Sequence, residues 1–144
     1  MAKSEDQFSE EEKAAMKERA REYRAARSKA KQDPLGDLMS KIEEMSDPDK
    51  KMALRVHELV LSAVPDLQPK TWYGMPAYAK PGKDGKLICF FQAASKFKVR
   101  FSTFGFSEHA NVDDGEFFPT AYALIELTPK VEKEIVRLVK KAAS

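Results

Sequence analysis

The sequence has little of what reactive or metal-binding sites are usually built from: one cysteine and two histidines in 144 residues. A single cysteine excludes an internal disulfide and any zinc site made of cysteines alone. Cys89 lies in an apolar run, where we expect a buried, unreactive thiol, and it fits a reducing compartment. His57 and His109 belong to no recognised nucleophile or metal motif. These absences argue against an enzyme.

The chain also lacks a long apolar segment and an excess of one charge. No stretch approaches the ~20 apolar residues that cross a bilayer, and the polar start from Met1 to Asp6 has no apolar signal-peptide core. Lys and Arg number 25 against 23 Asp and Glu, for a formal net charge of +2. This balance argues against nucleic acid as a partner. We therefore expect a cytoplasmic protein with no membrane partner.

The first 33 residues predict a charged helix outside the main domain. Ser9 and Glu12 have the spacing of a capping box, and the helix that they begin extends to about Gln32. We therefore divide the chain into a helical extension, residues 1–33, and an α+β domain, residues 34–144.

That helix carries many cations and a thin apolar stripe. The cations between Lys17 and Lys31 offer a contact for phosphate or nucleic acid. The simpler interpretation is a solvated helix that lies loosely on the core or is detached from it, because only scattered residues such as Met16 and Ala20 form its apolar side. We favour the solvated helix and expect it to be mobile.

The domain predicts two amphipathic helices, a sheet and a terminal helix. Apolar residues recur at helical spacing from Leu35 to Met45 and from Met52 to Val64, and Thr128-Pro129 begins the last helix. Between them, strand-like segments lie near Lys70–Tyr73, Ala77–Lys80, Lys86–Gln92, Lys96–Ser102 and Ala121–Leu127. The sequence therefore predicts an α+β fold in which helices pack on an antiparallel sheet.

Two predictions concern the middle of the sheet. The run Leu87–Phe91 is apolar enough for a central strand that is buried on both faces. Residues 96–102 alternate between apolar and basic side chains, which predicts a half-buried strand with a basic outer face. A turn is expected after it, at Thr103–Gly105.

A candidate binding surface follows from this predicted sheet, because aromatic residues would lie beside the cations. Aromatic rings next to cations suit a small anionic ligand, an acidic partner or single-stranded nucleic acid. The simpler alternative, which we favour, is that the tryptophan and tyrosines pack in the core with their hydroxyls at its rim. The candidate ligand-binding residues are Trp72, Tyr73, Tyr78, Lys96, Lys98 and Arg100.

A polar loop near the end of the sheet is the candidate metal site. One imidazole and several carboxylates suit a hard or borderline cation. The spacing matches no EF-hand or zinc pattern, however, and acidic loops are usually solvated without metal. The candidate ligands are Glu108, His109, Asp113, Asp114 and Glu116.

Three segments taken together resemble one family. They are Trp72–Tyr78 (WYGMPAY), Leu87–Phe91 (LICFF) and Lys96–Phe101 (KFKVRF). They resemble the YdhG-like domain of unknown function, whose pattern is an aromatic-x-Met-Pro-Ala-aromatic block, an apolar strand and a Lys-x-His-aliphatic-Gly-Phe segment. The resemblance covers about residues 35–144 and leaves the first helix outside.

The resemblance implies helices on an antiparallel sheet, and it also implies iron. Some family members are described as frataxin-like intracellular iron chaperones. Here Lys98 stands at the family's frequent His and Arg100 at its Gly, and two cations repel Fe²⁺. Bound iron is therefore expected in the loop Glu108–Glu116. Two hypotheses result: an iron-binding chaperone, or a non-enzymatic module for an anionic ligand or acidic partner.

Overall fold

In the computed structural model, which describes residues 9–28 and 33–144, helices precede, interrupt and follow one antiparallel sheet. The helices are α1 (Glu10–Ser28), α2 (Pro34–Glu43), α3 (Asp47–Ala63), α4 (Ala94–Phe97) and α5 (Pro129–Ala142). The strands are β1 (Gln68–Trp72), β2 (Met75–Ala79), β3 (Leu87–Gln92), β4 (Ser102–Phe106) and β5 (Ala121–Leu124). The predicted α+β fold class is confirmed.

Local caps set the starts of several helices. The side chains of Ser9, Asp33 and Thr128 each accept the backbone N–H three residues further on, at 3.0–3.3 Å. Pro34 and Pro129 then take the first helical positions, where a missing N–H costs nothing. Each cap gives a partner to an N–H group that has none inside its helix.

The strands follow one another in space in the order β1-β2-β3-β4-β5, and each neighbouring pair is antiparallel. The apolar strand β3 is therefore the central one, as its sequence predicts. Tyr73 and Gly74 alone join β1 to β2, with backbone φ angles of 53° and 74°. Positive φ at both central positions is typical of a tight hairpin turn whose twist matches that of the strands.

One apolar core lies between the sheet and a layer formed by α2, α3 and α5. Helices α3 and α5 contact each other, and α2 lies against β1 and β2. The largest fully buried side chains come from both layers and include Leu38, Ile42, Val56, Tyr78, Phe91, Phe104 and Val139. Apolar burial on this scale is the main stabilising term of a domain of this size.

The predicted strand over residues 96–102 is wrong. The chain forms the short helix α4 there, passes through a left-handed residue at Lys98 (φ 52°) and enters β4 only at Ser102. The Ser102 hydroxyl accepts the backbone N–H of Ala94 at 3.0 Å, and Asp49 of α3 accepts that of Ser95 at 2.9 Å. These tertiary hydrogen bonds stabilise a helical turn against the alternating pattern.

The predicted turn at Thr103–Gly105 is wrong too, because these residues lie inside β4. Gly105 is paired with Phe90 of β3, and a Cβ atom at position 105 would lie 2.3 Å from the tip of the Phe90 ring. Gly105 therefore does not mark a turn. It leaves space for the Phe90 ring, which crosses the surface of the sheet.

Over residues 9–22, the side chains of helix α1 bury little apolar surface against the domain. Ala15 is buried, whereas Met16, which the predicted apolar stripe contains, is 46% exposed. Polar contacts with α2, α4 and the β1–β2 turn set the orientation of α1 instead. Residues 29–32, to which the predicted helix extends, lie outside the described residues. Across the described ranges, no helix has the length and hydropathy needed to span a membrane.

Candidate ligand-binding cleft

A cleft of about 480 Å³ opens where α1 passes the beginning of β2 and the end of β3. We call it the α1 cleft. Its floor is apolar and is formed by Met75, Pro76 and Phe91 of the sheet, with Met45 from the α2–α3 connection. Charged side chains stand at its walls: Lys17 and Glu18 from α1, Lys41 and Glu44 from α2 and its C-cap, and Lys96 from α4. An apolar floor with a few converging polar groups is typical of small-ligand sites.

The tight turn between β1 and β2 positions the charged group nearest to the floor. The carbonyl of Tyr73 accepts a hydrogen bond from Lys96 Nζ at 2.9 Å. The N–H of Gly74 donates to Glu22 Oε1 of α1, also at 2.9 Å. A Cβ atom at position 74 would lie 2.3 Å from Lys96 Nζ. Glycine therefore serves twice here: it adopts the left-handed backbone, and it leaves the space that the ammonium group takes.

Burial lowers the pKa of Lys96, and the nearby charge of Lys41 lowers it further. Carboxylates of Glu18, Glu22 and Glu44 act in the opposite direction without cancelling this effect. The ammonium form of Lys96 is therefore less favoured than that of an exposed lysine, and an anion brought into the cleft would stabilise it.

Lys41 differs from Lys96 because its charge is already paired. Its Nζ lies 2.8 Å from Glu18 Oε1 and 3.1 Å from Glu44 Oε2, and only 11% of its side chain is exposed. Burial opposes ionisation of Glu18, but the hydrogen bonds and charges of Lys41 and Arg21 together outweigh burial and lower its pKa. Three of the described lysines line the cleft. Lys41 forms ion pairs, whereas Lys17 and Lys96 form none with the side chains described in the ranges 9–22 and 33–144. These two lysines are the cations open to a ligand.

The structure does not form the predicted aromatic and basic sheet face. Tyr78 is completely buried in the core, whereas Trp72 lies on the opposite face of the sheet and packs on Phe90 with ring centroids 5.1 Å apart. For Tyr78, the alternative of core packing is the better description, whereas Trp72 is half-buried on the face of the sheet away from the core. Tyr73 is 39% exposed in the turn, and the guanidinium of Arg19 lies 5.2 Å from its ring centre.

The three predicted cations are also separated. Lys96 alone enters the α1 cleft. Lys98 follows α4, is 78% exposed and pairs with Glu11 of α1 at 2.7 Å. Arg100 is exposed, with its guanidinium 5.1 Å from the ring centre of Phe101. The prediction of one shared strand face was wrong because α4 replaces the strand that would have aligned them.

The polar loop does not gather the donors of a metal site. Glu108 and His109 are exposed, with 3.6 Å between a carboxylate oxygen and Nε2. Asp113, Asp114 and Glu116 are exposed as well, and the Asp113 carbonyl accepts a hydrogen bond from a lysine of α5. Over the described ranges, no three His, Cys, Asp or Glu side chains lie close enough together to hold a metal ion. The proposed set of iron ligands therefore lacks structural support.

Sequence reasoning missed a polar pair inside the core. His57 Nδ1 of α3 and the Tyr78 hydroxyl of β2 share a hydrogen bond of 2.9 Å. Burial lowers the pKa of His57, against the opposing charge of Glu58, and burial raises the pKa of Tyr78. Cys89, paired across the sheet with Tyr78, is buried as expected, and burial raises the pKa of its thiol. A thiol held in the neutral form is unreactive.

A second groove, of about 750 Å³, lies between α3 and the segment that joins β5 to α5. Arg55 crosses it to Glu132 with two hydrogen bonds of 2.8 Å, and Ile125 at its edge is 68% exposed. Arg55 is thus already paired with a carboxylate, and Lys51, which also lines the groove, is exposed to solvent. The α1 cleft is the better candidate for a ligand site because Lys96, in contrast to Lys51, is partly buried there and lies in the same cleft as Lys17.

No family model, curated protein or solved structure gives a significant match to this chain. The fold and the cleft therefore define the class only as an α+β domain with a cationic, apolar-floored cleft. The resemblance to the YdhG-like domain, and the iron chemistry that it implies, stay predictions.

Proposed function

We propose that this protein is a non-enzymatic binding module for a small anionic ligand, and that the ligand binds in the α1 cleft. One observation carries the proposal. The ammonium of Lys96 lies partly buried above an apolar floor, with a neutral carbonyl as its partner at 2.9 Å. A carboxylate or phosphate would give it a charge-assisted hydrogen bond, which is about twice as strong as a neutral one.

The α1 cleft supports one of the two hypotheses drawn from the sequence, the module for an anionic ligand, but at a different place in the fold. An anionic ligand was expected on a strand face, whereas Lys96 and Tyr73 meet instead at the turn before β2. The iron-chaperone hypothesis rests on family resemblance alone, because the acidic loop does not bring three donors together. The buried thiol of Cys89 fits a reducing compartment, which supports a cytoplasmic location for the module.

Amide chemical shifts followed during titration test the proposal. Acetate, glycolate and inorganic phosphate serve as anionic probes, with methylammonium as the cationic control. We expect the anions to shift the amides of Gly74, Ala93 and Ser95, which line the cleft. Lys96→Gln should abolish these shifts, while Lys83→Gln, which changes an exposed lysine in the β2–β3 turn, should leave them unchanged. Anion-induced shifts that survive Lys96→Gln would refute the proposal.

A pair of glycine variants gives an independent test. Gly74 and Gly115 both have left-handed backbones, with φ of 74° and 78°, but only a Cβ at position 74 meets Lys96. Alanine at either position should cost about 1–2 kcal/mol of unfolding free energy, because both carry the same backbone strain. Only Gly74→Ala should weaken anion binding as well. Equal binding by both variants would show that the ammonium position is unimportant.

A further inference from the structure

Lys96 combines features that make a lysine chemically reactive. Its Nζ is held at one place by the Tyr73 carbonyl, 2.9 Å away, rather than moving freely in solvent. The floor of the cleft is apolar, with Pro76 and Phe91 among its residues. An amine that is fixed beside an apolar surface is well placed to attack a bound electrophile.

The charges that face Lys96 come from three elements. Lys41 of α2 and burial itself favour the neutral amine, and so lower the pKa of Lys96. Glu18 and Glu22 of α1 and Glu44 at the end of α2 favour the ammonium, with a smaller combined effect. More of the side chain is therefore in the nucleophilic, unprotonated form at neutral pH than for an exposed lysine. A second cation beside a desolvated lysine is a known way to activate an amine.

We propose that Lys96 forms a reversible imine with small carbonyl acids, meaning 2-oxo acids and aldehydes that carry a carboxylate. This inference rests on the proposed function, since the same cleft must first hold the carboxylate. The neutral amine forms a C–N bond to the carbonyl carbon as the C=O π bond breaks, and one proton passes from nitrogen to oxygen to give a neutral carbinolamine. Loss of the hydroxyl with a proton from nitrogen releases one water and leaves the imine. No oxidant or reductant is needed.

The cleft also offers a binding partner for the carboxylate of these ligands. Lys17 of α1 lines the same cleft and is the second cation open to a ligand, as shown above. A ligand whose carbonyl lies at Lys96 can place its carboxylate towards Lys17 while a short alkyl chain rests on Met75 and Phe91. The volume of about 480 Å³ is within the range of small-molecule sites.

Reductive trapping of the full chain tests this inference. The probe is glyoxylate, the smallest acid with an aldehyde, and cyanoborohydride reduces any imine to a stable carboxymethyl-lysine. Peptide mass spectrometry then compares Lys96 with Lys83, an exposed lysine in the β2–β3 turn. We expect Lys96 to be the most heavily modified lysine, and excess glycolate, which lacks a carbonyl, to reduce its modification to the level of Lys83.

Two variants and one second probe make the result decisive. Lys96→Arg keeps the charge but removes the nucleophile, so the predominant adduct should disappear, with folding checked by circular dichroism. Lys83→Arg should leave the adduct on Lys96 unchanged. Propanal, an aldehyde without a carboxylate, should modify Lys96 less than glyoxylate does, because it gains nothing from Lys17.

The outcomes separate this inference from the proposed function. Equal modification of Lys96 and Lys83, together with glycolate-induced shifts at Gly74, would overturn the imine and leave the anion-binding module standing. Modification of Lys96 that glycolate does not suppress, and that propanal reproduces, would overturn both, since the lysine would then be reactive without a bound carboxylate.

Discussion

Helices α5 and α1 cover the same domain in different ways. Helix α5 buries Ile135, Leu138 and Val139 against α3 and the sheet. Helix α1 is held by Glu11 to Lys98 at 2.7 Å and by Glu18 to Lys41 at 2.8 Å. Its buried apolar contribution among residues 9–22 is Ala15.

The difference between the two helices is that α5 stabilises the fold, whereas α1 borders the candidate site. Apolar burial contributes about 25 cal/mol for each Å² removed from water, and it does not depend on screening by salt. The Glu11–Lys98 ion pair, whose lysine side chain is 78% exposed, contributes little and weakens as salt rises, whereas the partly buried Glu18–Lys41 pair is screened less. The α5 side therefore carries the stability of the domain, while the α1 side, which forms one wall of the cleft, is the part that can be displaced at low cost.

The largest effect is expected from the apolar core. Phe104 of β4 is 1% exposed, and Phe104→Ala should lower the free energy of unfolding by about 3–5 kcal/mol, because it removes a buried ring and leaves a cavity. Urea denaturation followed by circular dichroism measures this loss. The matched control is Phe117→Ala: Phe117 is 97% exposed, so its loss should change stability by no more than about 0.5 kcal/mol. Similar losses for both variants would mean that the core is misplaced.

A smaller effect is expected from the polar pair inside that core. The pKa of His57 in the folded protein lies below its unfolded value of about 6.5, so the unfolded state takes up the proton first as the solution is acidified. The contribution of neutral His57 to the free energy of unfolding is therefore fully present above pH ~6.5. It is lost as the pH falls through the pKa that His57 has in the folded protein. His57→Gln should therefore flatten the decline in unfolding free energy between pH ~7.5 and ~5.

Urea denaturation at several pH values measures that slope. His109→Gln is the matched control, since it replaces an exposed histidine outside the core. A His57→Gln profile parallel to that of the wild type would contradict the assignment of this pH dependence to the burial of His57.

The smallest effect concerns α1 and leaves global stability nearly unchanged. At ~1 M salt the Debye length falls to about 3 Å, so the exposed Glu11–Lys98 ion pair that helps to hold α1 should weaken. Hydrogen exchange read by mass spectrometry should then be faster in α1, while α5 keeps its protection because apolar contacts hold it. Equal responses of the two helices to salt would remove the distinction between them.

The sequence predicted the parts of the fold that depend on local patterns. The apolar run Leu87–Phe91 forms the central strand, and Thr128 caps the last helix as expected. The prediction was wrong at residues 96–102, where an alternating pattern is overridden by two hydrogen bonds: one from Ala94 to Ser102, eight residues away, and one from Ser95 to Asp49, 46 residues away in α3. Local periodicity contains no information about such partners.

The candidate site was predicted only in fragments. Lys96 and Tyr73 were among the predicted binding residues, and they are 23 positions apart in sequence and joined by a 2.9 Å hydrogen bond. Lys41 and Glu18 were missed because each looks like an ordinary solvated charge on its own helix. Only packing of α1 beside α2 makes them a buried pair and leaves Lys96 as a cation without a carboxylate partner among the described residues.

By itself, the sequence determined the class of fold, the central strand and the cap of the last helix, because apolar periodicity and capping act between near neighbours. Only the tertiary structure decided which charges are paired and which lysine faces the cleft. Pairing and burial depend on where distant segments meet in space, and burial in turn sets the pKa of Lys96. The chemistry that we propose follows from that placement.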